Sequence, residues 1–402
     1  MKINKKEKLN IVVGITGGIA AYKAAIFIRS LVKQGHEVVC VVTDNAYKFI
    51  GEWTLKTLTN NEVIDSVFAE KSDIATKHIS LAKWCDLMVV VPATANFIAK
   101  ASAGIADDAL STFNLSFSGK KIIAPAMNTE MLNSPQIQNA IKTLKNYGYI
   151  FVESSSGFLA CGDVGNGRLA ENEDILFEVE KSKYPQDLAG KKVLINGGRT
   201  REMIDPVRFI TNKSSGTMAK ALCEEAVLRG ASVTYIKGDT DVENPKGVDK
   251  IICVVSADEM YESCLNLAND YDIAVLSAAV ADFKPKKFTE EKIKKEKGKS
   301  ISSIKLEENK DILKAMGNQK SNSSILVGFA LESNSSFENA QKKLKSKNAD
   351  FIVLNSLQHS EAFGNTENKY WILDKNGQHQ EIENSSKRNL ANKLFSTILS
   401  KK

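Results

Sequence analysis

The stretch Ile11-Val12-Val13-Gly14-Ile15-Thr16-Gly17-Gly18-Ile19-Ala20-Ala21-Tyr22-Lys23 decides the fold class of the first half of the chain. A short β-branched run enters a glycine turn. Over 20–33 apolar residues then recur at helical spacing, and Gly35 ends the helix. The next run, Val38-Val39-Cys40-Val41-Val42, reads as a second buried strand, so the unit is βαβ. Leu87-Met88-Val89-Val90-Val91 and Lys121-Ile122-Ile123-Ala124 continue the alternation, which predicts a doubly wound α/β fold.

Further along, the pattern pauses at Tyr184-Pro185-Gln186-Asp187-Leu188-Ala189-Gly190. It restarts with Lys192-Val193-Leu194-Ile195-Asn196-Gly197-Gly198, a strand entering another glycine turn. Buried runs recur at 232–236, 273–277, 324–328 and 351–355. These positions predict two doubly wound, Rossmann-like α/β domains in tandem, residues 1–185 and 186–402. A chain of 402 residues is too long for one ordinary core, and 43% hydrophobic with 25% charged residues is a globular balance, which excludes disordered and fibrous classes. Both halves open with strand, paired glycines and helix, but the likeness between them stops there.

Net charge is only +6 and uneven, with eight lysines against three glutamates over residues 284–299. That run suits either a solvated loop or a local anionic ligand. No broad basic face and no aromatic-studded RNA motif accompanies it, so no nucleic-acid partner is expected. No apolar run approaches the roughly 20 residues of a membrane span. The opening Met1-Lys2-Ile3-Asn4-Lys5-Lys6-Glu7-Lys8 lacks a cleavage site after an apolar core, and six cysteines show no close pairing pattern. Both features lead us to expect a cytoplasmic protein.

Several loops follow strands at the edge where open α/β sheets bind ligands. In the first, paired glycines let backbone N–H groups approach an anion at a helix start. Its spacing is not G-x-G-x-x-G, and a plain structural turn fits it as well. Prolines stiffen Val91-Pro92-Ala93-Thr94-Ala95-Asn96 and Ala124-Pro125-Ala126-Met127-Asn128, and Ala103-Gly104-Ile105-Ala106-Asp107-Asp108 looks like another turn into a helix. Residues 154–168 form a long polar loop of the kind that acts as a lid. Cys161 lies in that glycine-rich segment, where a thiol can react, while Cys40, Cys85, Cys223, Cys253 and Cys264 sit in apolar or helical patterns and read as buried fillers. His78, before an apolar helix, fits a structural role as well as a functional one.

Taken together, residues 10–180 resemble the homo-oligomeric flavin-containing cysteine decarboxylases. The family's Ser-Gly-Gly-Ile-Ala-Ala-Tyr-Lys appears with Thr16 in place of serine, and Pro125-Ala126-Met127-Asn128 is intact. The resemblance implies FMN lined by Thr16, Gly17, Gly18, Thr43, Ala93, Thr94 and Asn96, with hydroxyls and backbone groups at its phosphate. It implies His78 as the active-site histidine, Asn128 as the holder of the substrate carboxylate and Cys161 as the proton donor. It also implies a homo-oligomer built from trimers, because the family's FMN sites sit at subunit contacts. The chemistry accounts for the set. An amide-linked cysteine has no electron sink beside its carboxylate, so the flavin must create one by oxidising the thiol to a thioaldehyde. Loss of CO2 then gives an enethiolate that is reduced and protonated. In that scheme His78 assists thiol oxidation and Cys161 protonates carbon.

In the second half, residues 197–219 join a glycine turn to Arg199, Arg201 and Arg208 and to a second turn into a helix. Arginine forks suit phosphate oxygens, although an ordinary loop with surface arginines is the alternative. With Ser277-Ala278-Ala279-Val280-Ala281-Asp282-Phe283, Glu291-Lys292-Ile293-Lys294-Lys295 and Gly328-Phe329-Ala330-Leu331-Glu332, this segment resembles the phosphopantothenate–cysteine ligases over about 188–400. The resemblance implies Asn212 at an acyl-nucleotide intermediate and Lys292 at the activated phosphates. It implies Asp282, Phe329, Lys343 and Lys347 at the nucleotide, along with Lys310, Asp311, Ile312 and Leu313. The sequence departs from the family where Lys310 replaces the proline of Asn-Pro-Asp-Ile, and where Leu331 replaces a small residue.

CTP is the implied co-substrate and Mg2+ the implied metal, with no metal ligands assigned; 4'-phosphopantothenate and L-cysteine are the implied substrates. An amine cannot attack a carboxylate until its oxygen becomes a leaving group, which an acyl-cytidylate provides. The two halves together imply an enzyme of coenzyme A biosynthesis that ligates and then decarboxylates. One rival is an NAD-dependent oxidoreductase, which the glycine spacing opposes, as does Thr43-Asp44 being the nearest approach to an acidic strand end. The other is a non-catalytic flavin-binding regulator, which should have lost His78, Asn128 or Cys161 and has not.

Overall fold

The computed structural model describes residues 8–66, 77–158, 164–293, 303–332, 337–356 and 367–401. The chain forms two compact units that part in sequence between Tyr184 and Pro185. In the first, β1 (Asn10–Ile15), β2 (Glu37–Val42), β3 (Leu87–Ala93), β4 (Lys120–Pro125) and β5 (Ile150–Phe151) make one parallel sheet in the order β2-β1-β3-β4-β5. Successive β1 side chains alternate between faces, and both faces are covered. Ile11, Val13 and Ile15 pack with Phe27, Ile28 and Leu31 of the helix Ala21–Lys33, whereas Val12 joins Met88, Val90, Phe97, Leu110 and Phe113. That double cover is why the strand reads as an unbroken apolar run, and each such side chain contributes about 1.5–3 kcal/mol by leaving water. The helix stops at Gln34 because Gly35, at φ 82°, takes the left-handed conformation.

The polar segment expected as an irregular lid is an antiparallel ribbon at both described ends. There β6 (Ser155–Phe158) pairs with β7 (Val164–Arg168), Gly157 opposite Gly165. Glycines hide this pairing from an alternation-based reading. Cys161 lies outside the described residues.

The second unit runs through β8 (Lys192–Gly197), the ribbon β9 (Arg201–Met203) and β10 (Phe209–Thr211), then β11 (Ser232–Lys237), β12 (Lys250–Cys253) and β13 (Ile273–Leu276). The ribbon β14 (Phe283–Pro285) and β15 (Leu306–Glu308) follows, then β16 (Ile325–Glu332), β17 (Phe351–Ser356), β18 (Glu367–Asp374) and β19 (His379–Ser386). The main sheet has the order β12-β11-β8-β13-β16-β17-β18-β19. Its six parallel strands follow the Rossmann order 3-2-1-4-5-6, and β18 and β19 extend the sheet antiparallel. Cys40, Cys85, Cys223 and Cys264 are buried as expected, and burial pushes the thiols of Cys40 and Cys264 up to about 12. Cys253 is the exception: it ends β12, the edge strand, and is exposed.

Candidate active site

In the first unit a cleft of about 1200 Å3 opens at the carboxyl ends of β1 and β3, the point where the strand order reverses. Thr16, Gly17, Gly18, Thr43, Thr94, Asn96 and Asn128 face it. Ala93 does not. Its methyl is fully buried in β3, and its carbonyl accepts from Ala126 N at 3.0 Å, so it shapes the floor beneath the cleft.

Thr16 has a different task from the one expected. The side chain is 2% exposed, and its Oγ1 donates to the Pro92 carbonyl at 2.8 Å while accepting from Thr94 N at 3.0 Å. Its single proton is committed to a carbonyl, so the hydroxyl ties the loop after β1 to the loop after β3 and is not a donor to a ligand. A Cβ on Gly17 would come within 2.4 Å of Asn45 Cβ, so glycine lets the loop after β2 close on the first loop. The Gly17 and Gly18 N–H groups have no acceptor among the described residues and stand ahead of the helix Ala21–Lys33, an arrangement suited to a phosphate.

Asn128 caps the helix Thr129–Asn133. Its Oδ1 accepts from Glu130 N at 2.8 Å. β7 fixes this loop through Met127 N to the Gly167 carbonyl at 3.0 Å and Thr129 Oγ1 to the Asn166 carbonyl at 2.6 Å. Gly167, at φ 124°, leaves no room for a side chain, since a Cβ would lie 2.3 Å from the Met127 oxygen. The cleft also receives Lys23, Lys100 and Arg168, cations that sequence reasoning did not single out. Lys100 is bound to Asp107 at 2.7 Å and Asp108 at 3.4 Å, and the Asp107 bond leads in raising its pKa. The Asp107-Asp108 turn was the available signal, because Asp108 and Ser111 form a reciprocal capping box there. His78 is not part of the cleft lining. It is half-buried on the helix Lys77–Trp84, with a shielded Nδ1 that has no partner among the described residues.

In the second unit the three arginines expected as phosphate forks are bound to aspartates. Arg199 meets Asp239 at 2.7 Å and Asp241 at 2.8 Å, Arg201 meets Asp239 at 2.7 Å, and Arg208 meets Asp205 at 2.5 Å. Each is tied to a loop aspartate, and for Arg208 the reason is that a carboxylate as buried as Asp205 requires a partner. The Arg208 guanidinium, helped by the N–H groups of Val207, Ile293 and Arg208, holds Asp205 well below the usual carboxylate range. The same pair anchors the segment carrying exposed Lys292: Ile293 N donates to Asp205 at 3.2 Å and its carbonyl accepts from Arg208 at 2.7 Å.

Asn212 Nδ2 donates to the Val280 carbonyl at 2.9 Å, which brings Asn212 to the loop carrying exposed Asp282. Asn309 continues the series, with its N–H on the Asp282 carbonyl at 2.9 Å and its Nδ2 on the Ala281 carbonyl at 2.8 Å. Beyond it, Lys310 Nζ stands 4.9 Å over the Tyr261 ring, and Asp311 caps the helix Ile312–Gln319 and pairs with Lys347. Lys343 lies one turn before Lys347, and Phe329 is half-buried in β16. The side chain of Ile312 is 5% exposed in the core, and the partly buried Leu313 packs against Gly328. Among the described residues, no group of three or more His, Cys, Asp or Glu side chains is placed to hold a metal, and no helix is long and apolar enough to cross a membrane.

A 2-1-3-4-5 sheet with a glycine-lined cleft at its switch point, followed by a Rossmann-ordered sheet whose switch point gathers charged loops, defines a two-unit, doubly wound α/β protein with a ligand cleft suited to a phosphate. Residues 2–182 match the flavoprotein family, and residues 188–401 match the DNA/pantothenate metabolism flavoprotein C-terminal domain. The chain is 40% identical to the coenzyme A biosynthesis bifunctional protein of Borreliella burgdorferi, over 97% of this chain and 98% of that protein. It is 42% identical to the Bacillus subtilis protein of the same name, over 97% and 96%. A crystal structure of the C-terminal domain of a coenzyme A biosynthesis bifunctional protein shares 36% identity, covering 53% of this chain and 96% of that one, with a TM-score of 0.45. The chain belongs to the bifunctional enzymes of coenzyme A biosynthesis, which carry a ligase and a decarboxylase activity.

Proposed function

We propose that residues 186–402 join L-cysteine to 4'-phosphopantothenate with CTP and Mg2+, and that residues 1–185 decarboxylate the product on FMN to 4'-phosphopantetheine. The observation that carries the reading is the cleft at the β1/β3 switch point, with Gly17 and Gly18 N–H groups that have no acceptor among the described residues. When bound, FMN supplies the two-electron acceptor and donor that the substrate lacks. The glycine N–H groups hold its phosphate, and Thr43, Thr94 and Asn96 line its bed. Asn128 orients the substrate carboxylate with a neutral amide. A full positive charge there would stabilise the ground state against loss of CO2. His78 takes the thiol proton and Cys161 returns a proton to carbon. In this reading a homo-oligomer built from trimers brings His78 of a neighbouring copy to the site.

In the ligase half, Lys292 stabilises charge on the phosphoryl oxygens, Asn212 holds the acyl group, and Asp282, Phe329, Lys343, Lys347 and the 310–313 segment flank the nucleotide. Mg2+ enters with the nucleotide phosphates. The setting is the cytoplasm. The test is mass-resolved turnover of 4'-phosphopantothenate and cysteine by the purified chain with Mg2+ and either CTP or ATP, alongside its visible spectrum. Flavin bands and 4'-phosphopantetheine with CMP and CO2 are expected. Accumulation of the cysteine adduct alone would remove the decarboxylase half, and equal turnover with ATP would remove the choice of CTP.

A further inference from the structure

The two loops that leave the switch point of the second sheet are zipped together. Ala279 N donates to the Gly198 carbonyl at 2.8 Å and Thr200 N to the Ala279 carbonyl at 3.4 Å. Two buried side chains close the ends of this zipper. Asn196 Oδ1 accepts from Ala278 N at 3.0 Å, and Thr200 Oγ1 accepts from Ala281 N at 3.1 Å; these residues are 2% and 0% exposed. Thr200 also reaches the other way, because its carbonyl accepts the Thr211 hydroxyl at 2.6 Å, next to Asn212. It is thus one node between the loop carrying Asn212 and the loop carrying Asp282. The Asn212 bond to the Val280 carbonyl closes the circuit.

The carboxamide of Asn196 makes little sense as a stability device. It lies in a strand whose neighbours Leu194 and Ile195 are buried and apolar, and among the described residues its Nδ2 finds only sulfur, Met260 Sδ at 3.7 Å and Cys264 Sγ at 3.8 Å. Thioether and thiol are weak acceptors, so most of the cost of desolvating that amide is uncompensated on the NH2 side. What the residue supplies is a fixed acceptor under Ala278.

We infer that Thr200 and Asn196 are positioning residues of the ligase reaction, setting the register between the acyl-handling loop of Asn212 and the nucleotide-handling loop of Asp282. The inference rests on the ligase reading above. Neither residue touches substrate; both act through the loop they hold. Loss of either acceptor lets the second loop drift, so that the nucleotide binds less well and the activated acyl group is exposed to water before cysteine arrives.

The experiment uses the full chain, with Thr200→Val to remove the hydroxyl at constant volume and Thr200→Ser to restore it. KM for CTP, kcat, and CMP released per cysteine adduct formed are measured, with decarboxylation of separately supplied adduct and the flavin spectrum as controls on the same molecule. Thr200→Val is expected to raise KM for CTP about tenfold and to release CMP in excess of adduct, with decarboxylation unchanged and Thr200→Ser close to wild type. A wild-type KM with one CMP per adduct in Thr200→Val overturns the inference, as does an equal defect in Thr200→Ser. Should Thr200→Val unfold the ligase unit, Asn196→Ala decides by the same KM and coupling readouts. If the wild-type chain forms no adduct with CTP, the ligase reading fails; if it does and the variants match it, only this inference fails.

Discussion

Replacing Thr16 by valine removes one hydroxyl at nearly constant volume, and the two possible roles of that hydroxyl predict opposite outcomes. In the structure Oγ1 makes two bonds, one to the Pro92 carbonyl and one from Thr94 N, both within the protein. At about 1 kcal/mol for each bond, the apo form of the first unit should lose about 2 kcal/mol. The Pro92 carbonyl keeps the Thr16 N–H at 3.3 Å, which limits the penalty at that end. With a urea m-value of about 2 kcal/mol per molar, the unfolding midpoint of the apo first-unit transition should fall by about 1 M. Affinity for FMN should change little, because the hydroxyl is occupied before FMN arrives. Thr16→Ser should keep both bonds and stay near wild type in stability. The assays are urea unfolding of flavin-stripped full-length protein and fluorescence titration with FMN. An unchanged apo midpoint combined with FMN binding weakened on the order of 30-fold would refute the argument, because that is the pattern of a charge-assisted bond from the hydroxyl to the phosphate.

Cys161→Ser should release CO2 yet fail to complete the reaction, with a product two hydrogens lighter than 4'-phosphopantetheine visible by mass spectrometry. Lys292→Gln should slow adduct formation on the order of 100-fold while sparing decarboxylation of supplied adduct, as single-turnover assays of each half would read. His36, 4% exposed and accepting from Leu9 N at 3.0 Å, has its pKa lowered to about 4 by burial and by nearby Lys183. The unfolded chain therefore takes up a proton that the fold refuses. The stability this confers is fully present above about pH 6.5 and is lost as pH falls toward about 4. The loss should be on the order of 1–2 kcal/mol once solvent screening is allowed for, and it should vanish in His36→Gln when urea midpoints are compared across that range.

How far the fold was legible follows from what each strand buries. β1, β3 and β4 lie inside the first sheet with a core on each face, and β8, β13, β16 and β17 are similarly placed in the second, so apolar runs announced them all. β12 is a short edge strand and β19 carries many polar residues, including Gln380, Glu381 and Glu383, so their runs are diluted, whereas the buried Tyr370-Trp371-Ile372-Leu373 of β18 is an apolar run as legible as the others. The Asp374-Lys375-Asn376-Gly377 turn, with Gly377 at φ 82°, was a hairpin signal left unused. The site divides the same way. Glycine requirements are local, so the first loop declared itself. The role of an arginine is set by what it meets, and Asp239 and Asp241 lie 40 and 42 positions beyond Arg199. Counting charges along a loop therefore overstates what it can offer an anion. With Arg199, Arg201 and Arg208 all paired with aspartates, the proposed ligase reading predicts that phosphate recognition draws on backbone N–H groups and on lysines such as Lys292. Those are the groups whose removal should cost nucleotide binding without loosening the loops, whereas arginine substitutions should do both at once.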